Sequence, residues 1–232
     1  MAKKVAQMIE EQVQFWRLKN SSKATFPASV KHLPIITVSR EFGARGAEIA
    51  TILGHKLGFK VWDKDLLDVI SIKLGSNKEY MQSLDENRRS LLEDTIFGFM
   101  NQKGTNLNYF IYLVKAIRSI ENIGNSIIVG RGANFICRNS NSFHIRVVSP
   151  LEKRVKYYAQ KEGISSKNSL EIITKKDSER ANFITRNFNK NIDASSNYDL
   201  VITSGSFDLD TVAEIISTAY TCKITDKEKV LT

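Results

Sequence analysis

The segment Ser39-Arg-Glu-Phe-Gly-Ala-Arg-Gly-Ala-Glu48 gathers the residue types best suited to chemistry in this chain. Gly43 and Gly46 stand just before a helical pattern, where a backbone without Cβ turns tightly. Such a loop aims free N–H groups and the positive end of a helix at an anion, above all phosphate. Arg40 and Arg45 add planar, bidentate donors that match phosphate oxygens, and Ser39 adds a hydroxyl. The bland reading is a strand–helix turn that needs two glycines, and the loop alone does not separate the two. Similar chemistry recurs downstream. Val129-Gly-Arg-Gly132 sets Arg131 between glycines. Phe59-Lys-Val-Trp62 runs into Asp63, a carboxylate placed either to hold magnesium or a substrate hydroxyl or to cap the next helix.

The elements that must position these groups alternate. Ile35–Val38, Phe59–Trp62, Asn125–Val129, Ser142–Val148 and Asp199–Ile202 are short apolar runs, each read as a buried strand. Helical spacing covers 46–57, 64–74, 151–162, 167–188 and 208–220, with Gly58 and Gly75 as stops. Residues 78–123 show no strand and read as two or three helices. The expected fold is therefore α/β, a five-stranded parallel sheet covered on both faces. Ligands of such sheets bind at the carboxyl ends of the strands. That places Ser39, Arg40, Gly43, Arg45, Gly46, Asp63 and Arg131 at one edge.

The N-terminus is separate in character. Val5, Met8, Ile9, Val13 and Trp16 form one stripe of a helix over 2–19, followed by a linker to Pro34. It reads as a packing arm, against the main domain or a second copy of the chain. The tail after Thr221 is polar and expected to fray.

Composition sets the outer bounds. The chain has 232 residues, three prolines, 42% hydrophobic and 25% charged residues, which suits a globular domain. Cys137 and Cys222 exclude a disulfide scaffold and a four-thiolate zinc site, and read as the reduced thiols of a cytoplasmic protein. His32, His55 and His144 lack metal-ligand spacing. No apolar run is long enough for a membrane span, and Glu10 and Glu11 interrupt any signal peptide. The formal charge is +9, from 34 Lys and Arg against 25 Asp and Glu. Residues 151–191 supply +5 of it, ten basic residues against five acidic. Most of these are solvated helix faces, and Asp177 and Arg180 share one. Arginines on a closing arm are also the means to neutralise a transferring phosphoryl group.

Taken in order, several blocks resemble the cytidylate kinase-like family of P-loop nucleoside monophosphate kinases. They are Ile-Thr-Val-Ser-Arg-Glu-Phe-Gly at 36–43, Leu-Gly-Phe-Lys-Val-Trp-Asp-Lys-Asp-Leu-Leu at 57–67, and Ile-Ile-Val-Gly-Arg-Gly-Ala-Asn at 127–134. Pro-Leu-Glu-Lys-Arg-Val at 150–155, Lys-Lys-Asp-Ser-Glu-Arg-Ala at 175–181 and Asn-Tyr-Asp-Leu-Val-Ile at 197–202 continue the series. The resemblance implies a kinase-like domain over 34–220 with a helical acceptor-binding insert at 76–125 and a lid region at 151–191. It implies ATP and Mg2+ as cofactors and transfer of the γ-phosphoryl group to CMP or dCMP. It assigns Arg131, Arg180 and Asp63 to catalysis. It assigns Ser39, Arg40, Gly43, Arg45 and Gly46 to the ATP phosphates, with Arg154 and Asp177 in the lid region. The loop departs from the Walker A pattern G-x-x-x-x-G-K-[ST]. Arg40 takes the first glycine position, the lysine position falls near Gly46, and no Ser or Thr follows. Arg45 replaces the family's middle glycine, and Ala47 stands at its usual arginine.

Two further readings remain beside the kinase: a nucleotide-binding regulatory module with little turnover, and a nucleic-acid binder. The second lacks any helix-turn-helix, zinc-finger or RNP signature, so neither nucleic acid nor membrane is expected as a partner.

Overall fold

A computed structural model of the chain describes residues 34–63 and 107–230. The helix expected at 2–19 with its linker, the helix at 64–74 and the insert up to residue 106 lie outside the described residues. Five strands form the sheet: β1 (Ile35–Arg40), β2 (Lys60–Trp62), β3 (Ser126–Val129), β4 (Ser142–Val148) and β5 (Leu200–Thr203). Their spatial order is β2-β3-β1-β4-β5, and every pairing is parallel. β1 is therefore the centre, and its carboxyl end lies between those of β3 and β4.

Helices cover both faces, as the apolar strands require. On one face α1 (Gly46–Leu57) and α6 (Leu209–Val230) pack over the sheet. Ile49, Leu53, Val212 and Ile216 meet Ile36, Val38, Ile145 and Val147 there. On the other face α2 (Leu107–Ile123), α3 (Ala133–Ile136) and α5 (Ser166–Phe188) do the same. Leu113, Ile117, Ile136, Ile184 and Phe188 pack with Ile35 and Ile128. Each fully buried aliphatic side chain contributes about 1.5–3 kcal/mol of transfer free energy. The remaining helix, α4 (Leu151–Glu162), forms a hairpin with α5.

The helix ends follow from their residues. Gly58 adopts φ +66° at the end of α1 and bonds back to Gly54. Ser165 caps α5 by accepting from the Asn168 N–H at 3.2 Å. Asp208 caps α6 by accepting from the Thr211 N–H at 2.8 Å.

Two expectations need correction. The last helix does not end at 220 with a frayed tail but continues to Val230. Tertiary contacts hold the extra turns: Lys223 pairs with Asp199 at 2.6 Å and donates to the Ser142 carbonyl at 2.9 Å. Ile224 packs against the core. The first strand is also longer than its apolar run. Ser39 and Arg40, read as loop residues, are its last two members, in register with Arg146 and Val147 of β4. Ladder pairing carries a strand past the point where hydrophobicity stops marking it.

Candidate functional site

At the carboxyl edge of the sheet lies a cavity of about 270 Å³. Its wall includes Ser39 and Arg40 from β1, Phe42 from the loop, Gly130–Asn134 after β3, and Arg180 and Phe183 from α5.

Arg40 reaches this cavity because two glycines make room. A Cβ on Gly46 would stand 2.7 Å from the Arg40 Cβ, and one on Gly130 would collide with its guanidinium. Gly130 also takes φ +85°, which a side chain would strain. Arg40 is thus pressed into the protein beside two other arginines. Burial first, then the charges of Arg180 and Arg131, lower its guanidinium to about 9, against a smaller raising effect of Asp63. Burial likewise lowers Arg180, with Asp177 acting in the other direction. The Arg180 guanidinium donates to the Arg40 carbonyl at 3.0 Å and lies 5.2 Å over the Phe42 ring. Arg131, at φ 54°, lies 5.7 Å over Phe183. Crowding cations at reduced solvation is costly, and an anion between them offsets the cost.

The loop that follows β1 is held by other groups. The Asp177 carboxylate accepts from the Phe42 N–H at 2.7 Å. Arg154 donates to the Phe42 carbonyl at 3.0 Å, to the Ser149 carbonyl at 2.9 Å and to Asp177 at 2.5 Å. It is only 7% exposed. Gly43, at φ +82°, lies against it, and a Cβ there would meet the Arg154 Cβ at 3.1 Å. Glu41 accepts from the Ser149 N–H at 2.8 Å. Both peptide groups of Phe42 are therefore fastened to the α4–α5 hairpin.

Arg45 sits elsewhere. It caps α1 at φ 60°, bonds Glu48 at 2.6 Å and lies 4.8 Å from the Tyr157 ring. The Glu48 bond raises its guanidinium further. It lines a second, open cleft with Glu48 and Asp208. Of the residues singled out from sequence, Ser39, Arg40, Arg131 and Arg180 come together around the first cavity. Gly46 backs it, and the charge of Asp63 reaches Arg40. Gly43, Arg154 and Asp177 shape the loop, and Arg45 is not brought into the group.

Sequence reasoning passed over Phe42 and Phe183, the aromatic floors under two arginines. It also passed over Arg146, although a lone charge within the apolar run of β4 was a signal. His144, which lacks metal-ligand spacing, shares a 2.7 Å hydrogen bond with Thr37, and burial lowers its pKa.

A sequence model of the cytidylate kinase-like family matches residues 35–206. The chain belongs to this family. Among solved structures it is similar to an uncharacterized protein from Eubacterium ventriosum ATCC 27560, at 22% identity and a TM-score of 0.67. That match covers 83% of this chain and 99% of the other, and shows a shared fold. A shikimate kinase from Bacteroides thetaiotaomicron aligns at 10% identity and TM-score 0.45, over 80% of this chain and 97% of the other. None of the curated proteins matches.

In this cytidylate kinase-like chain a central β1 runs through a loop into α1, and the loop holds no Walker lysine. Among the described residues no three His, Cys, Asp or Glu form a metal cluster. Asp63 stands at the carboxyl end of β2, where its charge acts on Arg40. Among the described residues no helix is long and apolar enough to cross a membrane.

Proposed function

We propose that this chain is a cytoplasmic phosphotransferase that moves the γ-phosphoryl group of ATP to a nucleoside monophosphate, CMP or dCMP. The observation that carries this reading is the convergence of Arg40, Arg131 and Arg180 on one cavity at the carboxyl edge of the sheet. Phosphoryl transfer asks for positioning and neutralisation of spread negative charge, and arginine clusters do both. In this reading Arg131 holds the acceptor phosphate. Arg180 and Arg40 meet the charge that builds on the transferring group. Gly43 and Gly46 stand on the donor side, Arg45 joins them only on leaving Glu48, and Ser39 donates a hydrogen bond. Asp63 orients the acceptor or the magnesium that the nucleotide carries; when bound, that ion neutralises phosphate charge. Arg154 and Asp177 act through the loop they fasten. Residues 76–125 are the acceptor-binding insert and 151–191 the lid region.

The test mixes purified protein with ATP, magnesium and each of CMP, dCMP, UMP, AMP and GMP, and follows diphosphate formation. Turnover with CMP or dCMP above the others is expected. No diphosphate from any acceptor would overturn the reading. One feature favours a second reading, a nucleotide-binding module with little turnover: the loop lacks the lysine, and Arg45 is committed to Glu48. ATP binding without transfer to any acceptor would favour it.

A further inference from the structure

The register of β1 on β4 sets Ser39 beside Arg146 on the same face of the sheet. Arg146 is 5% exposed, so its charge must be matched by partners. Its two terminal nitrogens divide the task. One bonds the Asp193 carboxylate at 2.5 Å, and the other donates to the Ser39 hydroxyl at 3.1 Å. Arginine has donors and no acceptor, so Ser39 Oγ receives in this bond. Arg146 is also close enough to Arg180 to bear on its charge.

The Tyr198 hydroxyl completes the frame. It lies 2.8 Å from the Ile192 carbonyl and 3.3 Å from Ser39 Oγ. A phenol has one proton, and the shorter contact takes it, because O–H···O bonds favour about 2.5–3.0 Å. Tyr198 therefore donates to Ile192. Among the described residues the Ser39 proton is left with the distant Tyr198 oxygen, or with an acceptor inside the cavity that Ser39 lines.

We propose that Arg146 and Tyr198 are positioning residues that make Ser39 a hydrogen-bond donor to an oxyanion of the phosphorylated ligand. The inference rests on reading the cavity as a phosphate site. Arg146 holds one lone pair of Ser39 and polarises its O–H. Tyr198, anchored on Ile192, restricts the hydroxyl's rotation and offers only a weak resting acceptor. A phosphate oxygen in the cavity that Arg40, Arg131 and Arg180 line is the stronger acceptor, since bonds to charged groups are roughly twice as strong as neutral ones. Asp193 keeps Arg146 from turning toward the ligand itself.

The test is a double-mutant cycle on binding, read by calorimetry with CMP and with inorganic phosphate as probes. Ser39→Ala is expected to weaken CMP binding about tenfold, the loss of one charge-assisted hydrogen bond. Ser39→Thr, which keeps the hydroxyl, should stay within about threefold of wild type, and it separates loss of the donor from loss of fold. Tyr198→Phe and Arg146→Lys should each weaken binding by about threefold to tenfold in the Ser39 background. Neither should add to the loss when combined with Ser39→Ala, because both act through that hydroxyl. Wild-type affinity in Ser39→Ala, or losses that multiply across the cycle, would overturn the proposal. If folded wild-type protein binds neither probe, the phosphate-site reading falls and this inference with it. If wild type binds CMP and Arg131→Ala abolishes that binding while the cycle shows no coupling, only the positioning role falls.

Discussion

Two sets of arginines flank the same loop, and their surroundings differ in kind. Arg45 and Arg154 each hold a carboxylate, Glu48 at 2.6 Å and Asp177 at 2.5 Å. Arg40, Arg131 and Arg180 instead bring their charges to bear on one another around a cavity. The first arrangement is complete within the chain and builds structure. The second crowds like charges at one cavity, where burial and mutual repulsion outweigh the nearby Asp63 carboxylate on Arg40, so an entering anion is favoured there. Sequence spacing treats the five alike, since each is an arginine near a glycine or on a charged helix. The difference lies in what the fold places opposite each one.

The comparison breaks most sharply at Arg154. Removing one partner of a buried ion pair typically costs about 3–5 kcal/mol, because the other charge is left behind. Arg154→Met is therefore expected to lower unfolding free energy by about 3 kcal/mol, read by urea denaturation. Asp177 and the carbonyls of Phe42 and Ser149 lose their partner at once. A loss under about 1 kcal/mol would show that the loop does not depend on this lock.

The site arginines should behave in the opposite way. Arg131→Ala and Arg180→Ala are each expected to lower kcat/KM by about a hundredfold, the usual loss when one donor to transition-state charge is removed. Unfolding free energy should fall less than in Arg154→Met, because relieved like charge offsets part of the lost contacts. Wild-type activity in both variants would remove them from the site.

Arg40 gives the comparison a pH dependence. Its folded value near 9 lies below the ordinary 12.5. Between these values the unfolded chain holds the proton and the folded chain does not, so stability from this group rises with pH through that window. A bound anion needs the proton, so its stabilising effect must fade as pH rises through about 9. Sulfate, whose charge is constant there, should raise Tm at neutral pH and progressively less above 9, and Arg40→Met should flatten the trend. An unchanged sulfate effect across that range would show that Arg40 keeps its proton there or that the anion lies away from it.

These contrasts also mark how far the sequence is legible. The five strands, α1 and α4 were readable to within a residue or two, because buried strands are short apolar runs and glycines close the helices. The edge at which ligands bind followed from parallel topology. The division of labour among the arginines did not follow. Arg154 and Asp177 are 23 positions apart, and both meet Phe42 more than a hundred positions away, a contact no local pattern encodes. Gly46 reads as a phosphate cradle, yet the space it leaves is filled by the stem of Arg40. Ser39 and Arg40 read as loop because they are polar, whereas the ladder to β4 makes them strand.

Arg45 tests the comparison where the effect is smallest. It replaces the middle glycine of the family loop and would be the natural substitute for the missing Walker lysine. Its guanidinium nonetheless turns to Glu48 and the Tyr157 ring, and Tyr157 in turn donates to Glu48 at 2.7 Å. The pair is more than a third exposed, so solvent screens it, and such pairs contribute about 0.2–1 kcal/mol. If its role is to finish the α1 cap, Arg45→Ala lowers stability by less than about 1 kcal/mol. Arg45→Gly would then do no worse, since glycine suits φ 60°. In that case neither variant shifts KM for ATP. If Arg45 swings to the donor phosphates during turnover, both variants raise KM for ATP about tenfold while Glu48→Gln, which frees the arginine, lowers it. The sign of the Glu48→Gln effect therefore separates an arginine that belongs with Arg154 from one that belongs with Arg40.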